Sequence, residues 1–142
     1  STPFVINDTA YVCLGQITGS NFIKDCYRYE QASDTWTPLA SFPGTSRFSA
    51  MGFVINGKGY VGCGKNSAQQ NDFYEYNPGN NSWTQKATFP GSTRQNGFGA
   101  TVGGYGYMGV GLTDLGCVKD AYRYDAGSNT WTQIANFVGP KR

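Results

Sequence analysis

Phe48-Ser-Ala-Met-Gly-Phe-Val-Ile-Asn-Gly-Lys-Gly-Tyr-Val-Gly-Cys-Gly64 reads as two apolar strands folded about Asn56-Gly57. An Asn-Gly pair between apolar runs is a strong hairpin signal, because both central residues of the tight turn need positive φ. The reading predicts strands over Phe48–Ile55 and Lys58–Cys63. Beyond them lies a polar loop, Lys65–Asn71, and then a predicted strand of alternating aromatic and polar residues at Asp72–Tyr76. A turn cluster at Asn77–Asn81 leads into a last predicted strand at Ser82–Ala87, which Phe89-Pro90-Gly91 ends. Four short strands joined this way form an antiparallel meander, and no segment has helical periodicity. The unit is all-β.

The same text occurs three times. Trp36, Trp83 and Trp131 recur 47 and 48 residues apart. Ahead of them stand Asp25-Cys-Tyr-Arg-Tyr29, Asp72-Phe-Tyr-Glu-Tyr76 and Asp120-Ala-Tyr-Arg-Tyr124. Behind them stand Phe42-Pro-Gly, Phe89-Pro-Gly and Phe137-Val-Gly, closed by Arg47, Arg94 and Arg142. A period in this range is the length of one propeller blade, and three copies fill the chain as units of about 1–47, 48–94 and 95–142. The first copy carries two extra residues in its second loop (Gln16–Ile23) and the third carries one there (Leu112–Val118). Length variation confined to one loop marks a face free to diversify.

Composition narrows the function classes. The chain has 142 residues, 20 of them glycine, and only 14% are charged, as short strands and tight turns require. A net charge of +2 with no basic run gives no grip on nucleic acid or an anionic membrane. No stretch approaches the roughly 20 apolar residues of a membrane helix, so a soluble chain is expected. The compartment stays open, secreted or extracellular included. The absence of histidine removes the commonest general base and metal ligand, so no cofactor and no metal are expected.

The four cysteines follow no repeat rule. Cys13 and Cys26 fall on adjacent strands of one hairpin and can stand opposite each other; Cys63 lies in strand-like text and Cys117 in a loop. Buried free thiols acting as small hydrophobes are the simpler expectation, with a disulfide the alternative.

These residues resemble the kelch repeat family. Its blade has a turn before a Tyr-Val strand with glycines, then a Tyr, six residues and a Trp. Tyr29 to Trp36, Tyr76 to Trp83 and Tyr124 to Trp131 all keep that gap. The arginine ahead of the first strand and the Pro-Gly pair after the last also match. The family's adjacent glycine pair is here Gly62-Cys-Gly64, Gly109-Val-Gly111 and Cys13-Leu-Gly15. The resemblance implies six- or seven-bladed rings with the first strand of each blade lining a central channel. Those innermost strands would be Pro3–Ile6, Phe48–Ile55 and Gln95–Val102, with Trp36, Trp83 and Trp131 on the rim. It also implies that Asp25, Asp72 and Asp120, with Arg47, Arg94 and Arg142, serve structure by satisfying turns or pairing blades.

Three blades leave an open apolar side at each end. If each exposes on the order of 500 Å² of apolar area, the cost is about 12 kcal/mol at ~25 cal/mol/Å². Closure by a second copy relieves it: two chains head to tail, blade 3 on blade 1, make a six-bladed ring with twofold symmetry. The chain stops at Arg142, the residue that precedes a first strand, and Ser1 aligns with Ala50 inside one. A homodimeric propeller is therefore the expectation, and half of a longer or engineered propeller with no evolved ligand is its rival.

Motifs that carry chemistry are few. Gly104-Tyr-Gly-Tyr-Met-Gly109 matches GxGxxG, but it spans a hairpin turn and a strand with no helix to meet a phosphate. No carboxylate pair suited to glycoside hydrolysis is evident, and no catalytic residue is assigned. The functional surface is expected on one face, built from the second-to-third-strand loops and the fourth-to-first connections. Ser49 and Asn96 lie two residues past Arg47 and Arg94, where a side chain can reach the channel mouth. Lys65, Asn66, Phe22, Asp114 and Leu115 complete the candidate face. These groups suit a peptide or protein partner on a non-catalytic scaffold; a carbohydrate-binding or carbohydrate-processing propeller is the alternative.

Overall fold

The computed structural model describes residues 1–142 and contains no helix. Its strands form three four-stranded antiparallel sheets and one small hairpin. Sheet 1 comprises β1 (Thr2–Ile6), β2 (Thr9–Gln16), β3 (Phe22–Glu30) and β4 (Thr35–Leu39), in chain order. Sheet 2 repeats this with β5 (Met51–Ile55), β6 (Lys58–Gly62), β7 (Phe73–Asn77) and β8 (Ser82–Gln85). Sheet 3 is built from β9 (Phe98–Val102), β10 (Tyr105–Gly109), β13 (Ala121–Asp125) and β14 (Thr130–Ile134). Between β10 and β13 the predicted loop Leu112–Val118 holds a two-stranded hairpin, β11 (Leu112–Thr113) and β12 (Gly116–Cys117). Cys117 is thus in a short strand, not a loop.

Local sequence explains the turns. Asn7-Asp8, Asn56-Gly57 and Gly103-Gly104 each close a first hairpin with both residues at positive φ, between 48° and 82°. That is the turn whose twist matches the strands it joins. Each second hairpin ends on a left-handed Asp34, Asn81 or Asn129 (φ 51°, 50° and 54°). Its carboxamide or carboxylate accepts the hydroxyl of Tyr29, Tyr76 or Tyr124 at 2.8, 3.0 and 2.7 Å. The repeated Tyr-x6-Trp spacing is therefore one hairpin with its own buckle.

Three expectations need correction. The first strands of sheets 2 and 3 begin at Met51 and Phe98 rather than at Phe48 and Gln95. Ser49 and Asn96 adopt left-handed backbone (φ 52° and 57°), which breaks the ladder; Phe48 and Gln95 survive as single bridges to Lys65 and Leu112. The last strand of sheet 2 stops at Gln85, short of Ala87. Finally, Cys13 and Cys26 face each other across β2 and β3 and form a disulfide, so they are not free thiols. Cys63 and Cys117 are free.

Sheets 1 and 2 pack face to face, as do sheets 2 and 3, with β1 beside β5 and β5 beside β9. One apolar core fills each junction. Phe4, Ile6, Tyr11 and Phe42 meet Val61 and Tyr76 in the first; Met51, Phe53, Ile55 and Phe89 meet Met108 and Tyr124 in the second. Glycine makes the close approach possible: a Cβ on Gly59 would lie 2.5 Å from the Phe4 ring. Gly106 stands in the same relation to Phe53.

Candidate functional site

Each junction is tied by the same set of polar bonds. Arg47 and Arg94 are fully buried, and each grips an aspartate of the next sheet with both terminal nitrogens, Asp72 and Asp120 respectively. The aspartates stand just before β7 and β13, where their carbonyls accept the Cys63 and Val110 N–H at 3.2 and 2.9 Å. Burial pushes the Asp120 carboxyl upward, but its Arg94 hydrogen bonds and charge prevail and hold it below the usual carboxylate range. The same guanidinium groups donate to the carbonyls of Cys63 (3.0 Å) and Val110 (3.2 Å), two non-glycine residues at φ 57° and 48°. Such backbone costs of order 1–3 kcal/mol. The arginine bonds help to offset that cost. Around each arginine, Phe42 or Phe89 lies under the guanidinium at 5.0 or 4.8 Å.

Two of the repeated tryptophans belong to these ties as well. Trp83 and Trp131 donate Nε1–H to the carbonyls of Ala40 and Ala87 in the preceding sheet, at 3.0 and 2.9 Å. Trp36 has no such partner and is 51% exposed. Arg142 lies over Phe137 at 4.6 Å as its counterparts do, yet no carboxylate faces it, and Asp25 has no arginine.

A cleft of about 700 Å³ opens on the loop face between sheets 1 and 2. It is lined by Phe22, Ile23, Lys24 and Asp25 of β3, by Ser41, Thr45 and Ser46 of the connection after sheet 1, and by Asn66 of the loop after β6. Phe22 is set by stacking on Phe48, centroids 5.5 Å apart, and Phe48 is bonded through its backbone to Lys65. The structure thus brings Phe22, Lys65 and Asn66 together. Asn66 turns its Oδ1 into its own loop, toward the Ala68 N–H at 3.0 Å and Gln70.

The remaining candidate residues lie elsewhere. Ser49 and Asn96 are joined to each other by an Asn96 N–H to Ser49 carbonyl bond of 3.2 Å and act there through backbone. Asp114 and Leu115 cap the β11–β12 hairpin, with Leu115 wholly exposed. The sequence reading missed Glu75, a buried carboxylate held by Lys58 (2.9 Å), Tyr60 (2.7 Å) and Lys86 (3.2 Å). Burial works to raise its pKa, but these three donors outweigh burial and leave it lowered. Its positions in the other copies are Arg28 and Arg123, so no repeat signal pointed to it. No three His, Cys, Asp or Glu side chains are grouped to hold a metal ion.

No protein-family model matches the chain, and no curated protein does. Among solved structures, that of YjhT is similar, with a TM-score of 0.81 and 25% identity over 99% of this chain. The match covers 52% of YjhT, so the chain spans about half the length of that structure.

Proposed function

We propose that the chain is a half-ring of three kelch-type propeller blades, closed head to tail by a second copy into a six-bladed, non-catalytic scaffold. On this reading the assembled ring binds a polar peptide or protein segment across its loop face. The observation that carries the binding role is the cleft between sheets 1 and 2. It is open, and its lining offers the Ser41, Thr45 and Ser46 hydroxyls, the Asn66 amide, the Lys24 ammonium and the Phe22 ring. Those groups suit main-chain amides and polar side chains, and they include no nucleophile with a base beside it. The half-ring reading draws on the likeness to a structure nearly twice as long, in which this fold accounts for about half the chain.

Peptide-array and glycan-array binding, repeated with Ser46→Trp, tests the binding role. Ser46→Trp fills the cleft and should abolish peptide capture, whereas Leu115→Ser on the distant hairpin should leave it intact. Peptide capture that survives Ser46→Trp would refute the cleft, and capture of glycans alone would replace the peptide by a sugar. Failure of both arrays would leave an assembly without a ligand and overturn the binding role.

A further inference from the structure

We infer that the two end faces of the chain are built for each other, so that the partner is a second copy of this chain with sheet 3 seated on sheet 1. This inference rests on the half-ring reading and specifies its seam. Within the chain, each junction uses a fixed set of donors and acceptors, and the ends carry the two unfilled halves of that set. Sheet 1 offers Asp25, Tyr27 and Trp36; the end of sheet 3 offers Ala135, Phe137 and Arg142. At the internal junctions Phe42 packs on Tyr74 and Trp83 at 4.9 and 5.3 Å, and Phe89 packs on Tyr122 and Trp131 at 5.0 and 5.3 Å. Phe137 would meet Tyr27 and Trp36 of the second copy in the same way. Trp36 Nε1–H would reach the Ala135 carbonyl, and Arg142 would close on Asp25.

The apolar surface agrees. Val102 is 64% exposed, whereas Ile6 and Ile55 at the same register are 2% exposed; Phe98 is 39% exposed against 2% for Met51. Sheet 3 therefore lacks the covering that sheets 1 and 2 receive. Charge is complementary too, with a lone arginine at one end and a lone aspartate at the other.

What singles out a second copy is a matched pair of exceptions. Both internal junctions seat a phenylalanine on a glycine, Phe4 on Gly59 and Phe53 on Gly106, with no room for a Cβ. By register, the glycine position in sheet 1 is Ala10 and the ring position in sheet 3 is Ala100. A phenylalanine at 100 would strike the Ala10 methyl; alanine fits it. The two residues lie on opposite ends of the chain and become neighbours only when sheet 3 of one copy meets sheet 1 of another. Pro3 stands where sheets 2 and 3 have Gly52 and Gly99; a Cβ there would lie 3.3 Å from Thr2 at the first junction and 2.1 Å from the Gly52 carbonyl at the second, so the seam must be more widely spaced than the second junction at this point.

Native mass and sedimentation test this. The wild type should run at twice 15.4 kDa. Asp25→Arg alone and Arg142→Asp alone each place like charges in both seams and should weaken the dimer about a hundredfold or more. An equimolar mixture of the two variants restores opposite charges in both seams, so a heterodimer should form. Ala100→Phe should also lose the dimer, and Ala10→Gly/Ala100→Phe should regain it. Ala100 is exposed, so that pair reports on the seam even if a charge variant folds poorly. A monomeric wild type would overturn both the half-ring and the seam. A wild-type dimer that ignores the single variants, or variants that the mixture and the double substitution fail to rescue, would overturn the seam alone.

Discussion

Replacing Asp120 by asparagine measures what holds neighbouring sheets together. Asp120 accepts two hydrogen bonds from Arg94, at 2.9 and 2.7 Å, and the arginine is fully buried. Asparagine is isosteric but neutral. It removes the opposing charge and turns one acceptor oxygen into an NH2 donor, leaving the buried guanidinium a single amide oxygen beside the Ser92 and Val110 carbonyls. Removing one partner of a buried pair costs about 3–5 kcal/mol, because the other charge stays buried. The Asp120 side chain keeps 22% of its surface, which puts the loss near the lower bound, about 3 kcal/mol. With a urea slope of about 2 kcal/mol/M, the unfolding midpoint should fall by about 1.5 M. Glu30→Gln is the control, since it breaks an exposed pair with Arg28 and should move the midpoint by less than about 0.5 M. Tryptophan fluorescence in urea gives both values, and equal protomer concentrations keep any association term the same. Equal small shifts for the two variants would refute the claim that the repeated arginine pairs hold the sheets.

Gly106→Ala should destabilise by about 1–3 kcal/mol, because its Cβ enters the space of the Phe53 ring; an unchanged thermal midpoint would contradict that contact. Asn129→Ala removes the acceptor of both Tyr124 and the Ala87 N–H and places alanine at φ 54°, so a loss of about 2 kcal/mol is expected in urea. Glu75 and Asp120 are both held below ordinary carboxylate values. Their stabilisation is complete above the unfolded pKa of about 4 and is lost as pH falls through the lower folded values. Urea midpoints should therefore decline below about pH 4, and Glu75→Gln should flatten that slope. Burial raises the Cys63 thiol to about 12, so iodoacetamide at pH 8 should label Cys117 and spare Cys63. Label on Cys13 or Cys26 without reductant would show that their disulfide is absent.

Local features were legible because they depend on neighbours in the chain. The Asn56-Gly57 turn, the Tyr-x6-Trp hairpin and the strand periodicity all act over a few residues, and the three sheets follow from them. Misreadings arose where backbone left the local rule. Ser49 and Asn96 carry ordinary strand text on both sides, yet a left-handed turn of the backbone ends the ladder there. In the candidate site, Phe22, Lys65 and Asn66 were found through loop composition. Thr45 and Ser46 lie in a fourth-to-first connection already expected on that face, whereas Ser41 joined the site only because the chain after β4 folds over β3.

From the sequence alone came three meander sheets, their boundaries within a few residues, and the repeated Asp and Arg as one set. Period and turn chemistry suffice for that. Only the tertiary structure decided who touches whom. It put Arg47 on Asp72, Trp83 on Ala40 and Cys13 on Cys26, and it left Val102 and Trp36 uncovered. Contacts between sheets depend on packing distance and facing direction, which a repeat in one dimension does not carry. The same residue type at the same phase can therefore be buried in one copy and bare in another.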